Sequence, residues 1–110
     1  MMNDNVIKDL FEVVTDRKTN PSENSYTCYL FSQGINKILK KVGEESAETI
    51  IAAKEDDKEA LTGEVCDLIY HLIVMAVEKG ISADMILEEL DKRSQKIGNL
   101  KVMKKTDKQT

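Results

Sequence analysis

Four carboxylates stand in two closely spaced pairs in the middle of this chain: Glu45 with Glu48, and Glu64 with Asp67. Residues three apart on a helix have Cβ atoms ~5–6 Å apart, so each pair offers two oxygens on one face. Two antiparallel helices joined by a short turn would bring all four together. Carboxylates that close repel strongly unless a cation sits among them. Hard oxygen donors suit Mg²⁺ or Mn²⁺, and Mg²⁺ readily takes substrate phosphates as further ligands. With 33% of residues charged, a single ExxE would mean only a solvated surface. Context gives these pairs more weight. The apolar stripe Ile35, Ile38, Val42 continues at steps of three and four into Glu45, Thr49 and Ala52. A carboxylate on a face that should bury hydrocarbon must be protonated, paired or metal-bound.

The second pair interrupts its segment in the same way. Glu64, Asp67 and His71 fall within about 60° of one another on a helix, flanking Leu61, Leu68 and Leu72. His71, the only histidine, is either a hydrogen-bonded structural residue or one that orients a carboxylate or water beside a metal. Lys37, Lys40, Lys41 and Lys54 bracket the first pair. They serve helix pairing, as in Lys40–Glu44 and Lys41–Glu45, or contact with polyphosphate. No Walker-type loop or GxGxxG is present to do the latter.

The elements that must position these residues read as helices. Val6, Ile7, Leu10, Phe11 and Val14 predict an amphipathic helix over residues 4–17. Residues 19–25 form a polar loop containing Pro21, the only proline. Ser25 is placed to cap a short helical turn through Phe31, and Gly34 breaks the chain. A long helix runs from Ile35 to Lys54, and a charged turn follows at residues 55–58. Another helix reaches Gly80, and Ser82 caps a last one ending near Ile97-Gly98. The tail from Lys101 to Thr110 has no periodicity and reads as frayed. The expected fold is all-α, with four main antiparallel helices in a bundle-like packing. Residues 1–98 make one domain, and 99–110 a polar basic tail.

Composition bounds the function. The 110 residues carry 20 acidic and 16 basic side chains, a net charge of −4, which excludes a globally basic nucleic-acid binder. No uninterrupted apolar run approaches the ~18–20 residues of a membrane span. Cys28 and Cys66 are isolated, without CxxC spacing, so neither a zinc site nor a disulfide framework is expected. The reading is a soluble cytoplasmic protein with reduced thiols, binding neither nucleic acid nor membrane. The helices hold more apolar positions than one small bundle covers. Ile73, Val77, Ile81 and Ile86 are the expected surplus, and a homodimer is the expected way to cover them.

Four stretches carry a resemblance: Ser25-Tyr26-Thr27, Leu30-Phe31-Ser32-Gln33-Gly34, Lys40-Lys41-Val42-Gly43-Glu44-Glu45-Ser46-Ala47-Glu48, and Glu64-Val65-Cys66-Asp67-Leu68-Ile69-Tyr70-His71-Leu72. In order and spacing they resemble the phosphoribosyl-ATP pyrophosphohydrolase family over residues 4–95. More distantly, the chain is similar to the all-α, MazG-like nucleotide pyrophosphohydrolases, whose ExxE and ExxD metal signature falls here on Glu45, Glu48, Glu64 and Asp67. The resemblance implies the second step of histidine biosynthesis: Mg²⁺-dependent hydrolysis of 1-(5-phosphoribosyl)-ATP to 1-(5-phosphoribosyl)-AMP and pyrophosphate. It implies that Ser25, Tyr26, Thr27 and Gly34 shape the nucleotide pocket. Phosphate contact falls to Lys41 or Lys54, and proton transfer to Glu44 or Glu48. A partner chain would complete each site. Two other readings are a pyrophosphatase for ordinary or damaged nucleotides and a non-enzymatic dimerisation module. The YHL and SYT stretches argue against the first. The two interrupted stripes argue against the second.

Overall fold

Capping residues set the helix boundaries. In the computed structural model, residues 2–96 and 101–108 are described. Among them the helices are α1 (Val6–Thr19), α2 (Tyr26–Gln33), α3 (Ile35–Lys54), α4 (Lys58–Glu78) and α5 (Ala83–Ser94), with a 3₁₀ turn at Lys105–Lys108. Ser25 caps α2 by accepting from the Cys28 N–H, and Ser82 caps α5 by accepting from the Met85 N–H. Asp57 caps α4 in the same way through the Ala60 N–H. At the other end of α4, Gly80 adopts φ 77°. There the Ile81 N–H reaches the Ala76 carbonyl at 2.8 Å and the Gly80 N–H reaches Val77 at 3.1 Å, closing a Schellman turn.

The all-α expectation holds, with the short turn after Ser25 filling out to eight residues. The first helix runs two residues later than its periodicity predicts, starting at Val6 and continuing through Lys18 and Thr19, with Asn20 as its C-cap. The last helix ends at Ser94, and its expected end at Ile97-Gly98 lies outside the described residues, as does the 98/99 domain boundary.

α3 and α4 form an antiparallel hairpin with the most extensive packing in the molecule. α1 lies against α4 and α2, α2 against α3, and α5 against α1. The core is aliphatic apart from Phe11: Val14, Leu30, Ile38, Ile73, Val74 and Ala76 join it. Leu30, Ile38 and Val74 are wholly enclosed, each worth about 1.5–3 kcal/mol of transfer free energy. This core occupies only one end of the hairpin. The other end, the C-terminal half of α3 and the N-terminal half of α4, carries the acidic residues.

Two expectations change. Ile73 is core and Val77 packs against it, so neither is surplus. Bare apolar side chains on the hairpin include Leu39, Ile50 and Ile51 on α3 and Val65, Ile69 and Leu72 on α4, with Ile81 and Ile86 exposed as expected. The second concerns hydropathy. α4 averages 1.6 over 18 residues, apolar enough by length and composition to cross a bilayer, although no uninterrupted apolar run does so. Its apolarity comes from a core side and a bare side, with Glu64 and Asp67 in its N-terminal half.

Candidate active site

Glu45 sits where the stripe requires a buried residue, between Ile38 and Ala52 on the inner face of α3, and it is 7% exposed. One oxygen from each of Glu45, Glu48 and Glu64 lies within 4.8 Å of the others. Glu45 Oε2 and Glu64 Oε2 are both buried, and neither has a hydrogen-bond partner. Thr49 fixes the register of the two helices. Its hydroxyl lies 2.7 Å from the Glu45 carbonyl on α3 and 3.3 Å from the Glu64 carbonyl on α4, so one proton faces both backbones.

The electrostatics follow from this crowding. Burial, and then the Glu48 carboxylate, push the Glu45 carboxyl above its ordinary value. Burial and Glu48 raise Glu64 in the same way. Asp67 is exposed and stands outside the trio, yet its charge adds to the upward push on both. Glu44 is different: a hydrogen bond from the Lys41 ammonium, at 3.0 Å, holds its carboxyl below the usual range. Lys41 also stands 3.9 Å from Glu45, and Lys40 3.9 Å from Glu44. The expected pairs therefore form, and Glu44 takes the nearest ammonium.

His71 is buried, and its two ring nitrogens are both engaged. Nδ1 donates to the Asp67 carbonyl at 2.7 Å, which leaves Nε2 to accept from the Tyr26 hydroxyl at 3.1 Å. The histidine therefore links α4 to the start of α2 and touches the backbone of Asp67, not its carboxylate. Tyr70, next in sequence, pairs its hydroxyl with that of Thr27. Tyr26 and Thr27 are thus tied to consecutive residues of α4. The Ser25 hydroxyl is spent on capping α2. Gly34, at φ 88° and ψ −179°, lets α3 begin one residue after α2 ends. Lys54, the last residue of α3, is exposed and lies about 20 Å along the helix from Lys41. The two expected phosphate contacts are therefore not brought together.

Tyr70, Thr49 and Tyr29 are the residues that the spacing arguments left unassigned. Tyr70 had a legible signal in its position beside the only histidine. Thr49 and Tyr29 had none, since each fits its helix as ordinary packing.

Carboxylate oxygens that are buried, unpartnered and mutually close suit a hard divalent cation, which would supply the missing charge and the missing ligands. Comparison with known proteins agrees in kind. The family profile described as Phosphoribosyl-ATP pyrophosphohydrolase matches residues 7–94. A Clostridium botulinum protein named phosphoribosyl-ATP pyrophosphatase is 57% identical over 106 residues, covering 96% of each chain. A Lactiplantibacillus plantarum protein of the same name is 50% identical over 95 residues, 86% of this chain and 90% of that one. In Caldanaerobacter subterraneus the similar stretch, 53% identical over 91 residues, is 44% of a histidine biosynthesis bifunctional protein.

Proposed function

Because the chain belongs to the phosphoribosyl-ATP pyrophosphohydrolase family, we propose that its α3–α4 carboxylates are the active site of that hydrolysis and work with Mg²⁺. The enzyme hydrolyses 1-(5-phosphoribosyl)-ATP to 1-(5-phosphoribosyl)-AMP and pyrophosphate, a step of histidine biosynthesis. The observation that carries the site is the pair of buried, partnerless oxygens on Glu45 and Glu64, facing Glu48.

Glu45, Glu48, Glu64 and Asp67 are the residues that would hold the metal. When bound, Mg²⁺ or Mn²⁺ neutralises phosphate charge and lowers the pKa of an attacking water. The water oxygen forms a new P–O bond at one phosphorus of the α–β anhydride, and the bridging oxygen leaves with the other. The water's proton goes to a carboxylate. Glu48 suits that role better than Glu44. It is exposed and carries no ion pair among the described residues, whereas the Lys41 hydrogen bond lowers the proton affinity of Glu44. Lys41 carries charge toward the phosphates from the Tyr26 side, and Lys54 makes no ion pair among the described residues. Ser25, Thr27 and Gly34 shape the nucleotide pocket by holding Tyr26 in place.

A second copy of the chain covers the bare faces of α3 and α4 and completes the site, making the enzyme a homodimer. Its place is the cytoplasm, where its nucleotide substrate and its two free thiols belong. The test is pyrophosphate release from phosphoribosyl-ATP with and without Mg²⁺. Release only with metal, and lost in Glu64→Gln, is the expected result. Release from ordinary nucleoside triphosphates alone would overturn the reading.

A further inference from the structure

Two tyrosine rings on α2 stand half-exposed, the first of them within reach of the Lys41, Glu45 and Glu44 charges and 6.2 Å from the Tyr70 ring. Tyr26 and Tyr29 are one turn apart on α2, 46% and 44% exposed. Their centroids are 6.2 Å apart at an interplanar angle of 26°, a near-parallel offset pair. Tyr26 is anchored at both levels: its hydroxyl holds His71 Nε2, and its ring packs edge-on against the imidazole at 5.8 Å. Tyr29 has no such anchor among the described residues. Its backbone carbonyl accepts from the Ser32 hydroxyl, and the residue is half-exposed. The Lys37 ammonium stands 6.0 Å from the centroid of the Tyr29 ring, so this face already attracts a cation at the outer limit of that interaction.

The substrate supplies what would cover them. A purine alkylated at N1 holds a proton on its exocyclic nitrogen near neutral pH, so the ring of 1-(5-phosphoribosyl)-ATP is a flat cation, while that of ATP is neutral. We infer that the Tyr26–Tyr29 pair is the base-reading surface of the site, stacking the cationic N1-substituted purine and so preferring it to ATP. This rests on the activity proposed above. It accounts for selection that phosphate contacts cannot make, since metal and lysines grip any triphosphate alike. Once the base takes the ring face, the Lys37 ammonium, on its flexible stem, is free for the phosphate of the phosphoribosyl group.

The probe is N1-methyl-ATP, which carries the ring charge without the phosphoribosyl arm. It is compared with ATP as a competitive inhibitor of pyrophosphate release from phosphoribosyl-ATP. The full-length protein should bind N1-methyl-ATP about 3- to 10-fold more tightly than ATP. Tyr29→Phe should keep that ratio, and Tyr29→Leu should bring it to about 1 and raise KM for phosphoribosyl-ATP. In the parent, the preference should fade at alkaline pH as the alkylated base loses its proton. An equal ratio in Tyr29→Leu and the parent, or no preference in the parent, overturns the inference while leaving the activity standing. Failure of the parent to hydrolyse phosphoribosyl-ATP at all is a separate result, and it strikes the activity itself.

Discussion

Glu45 is held against its own chemistry. Its carboxyl replaces hydrocarbon on the inner face of α3, one oxygen lacks a partner, and Glu48 and Glu64 crowd the other side. Burial and the neighbouring carboxylates therefore push both the Glu45 and the Glu64 carboxyl above the ordinary value in the metal-free fold. The sign of the pH effect follows. A carboxyl whose folded pKa lies above its ordinary 4.5 binds more protons in the native than in the unfolded state between those two values. Stability is then greatest at or below about 4.5 with respect to these groups, and falls as pH rises through the window above it. We expect the melting temperature of metal-free protein to drop over that window and Mg²⁺ to restore it at neutral pH. Glu45→Gln should flatten the pH slope in a metal-free thermal scan; an unchanged slope would show that these carboxylates are not the strained ones. The same variant, like Glu48→Gln and Glu64→Gln, should lose about 100-fold or more in pyrophosphate release while remaining folded. Asp67→Asn, on a side chain outside the trio, should lose less. This part of the site was legible because a carboxylate interrupting a 3.6-residue stripe has few explanations. Asp67, three residues on from Glu64, is exposed like Glu48, and its charge still acts on both Glu45 and Glu64.

At the scale of elements, the junction of α2 with α3 decides where the rings stand. Gly34 holds φ 88° with ψ −179°, a region essentially closed to residues with a Cβ. A Cβ there would meet no atom within 4 Å, so the cost of adding one is purely backbone strain. Gly34→Ala should cost about 1–3 kcal/mol in chemical denaturation. It should also raise KM, because relaxing the junction displaces Tyr26 and Thr27 from His71 and Tyr70. A stability loss with unchanged KM would separate the junction from the pocket. Ser25→Ala removes the cap of α2 and should cost about 1 kcal/mol. These roles were partly readable. Ser25, Ser82 and Gly34 announce themselves through local chemistry that needs no partner. The hydroxyl pair of Thr27 with Tyr70 joins residues 43 apart in sequence, and no local periodicity encodes such a contact.

The whole molecule leaves a stripe of α4 half covered, and that stripe bears on assembly. Val65, Ile69, Leu72 and Ala76 follow one another at steps of four, three and four along one face. At its C-terminal end the face meets the core with α1, and Ala76 is buried. Toward the N-terminal end Val65, Ile69 and Leu72 are each 38% exposed. On α3, Ile50 and Ile51 are barer still. This apolar surface lies beside the carboxylates, so whatever covers it also sets the dielectric and water access of the site. Which residues were surplus was not readable from periodicity. The stripes specify that a face is apolar, and tertiary placement decides how much of it is covered: Lys18 pairs with Glu78 and Lys8 with Asp84, which puts α1 at the C-terminal end of α4. A second copy of the chain fits the need, since the same face on each protomer is self-complementary in a twofold pairing. Sedimentation at micromolar concentration should show a dimer. Ile69→Glu places a charge in that pairing without touching a carboxylate ligand. It should yield a folded monomer by sedimentation and circular dichroism, with pyrophosphate release reduced at least tenfold at low concentration and recovering as the concentration is raised. A parent protein that sediments as a monomer with full activity would show instead that one chain holds the whole site, with the stripe exposed for some other reason.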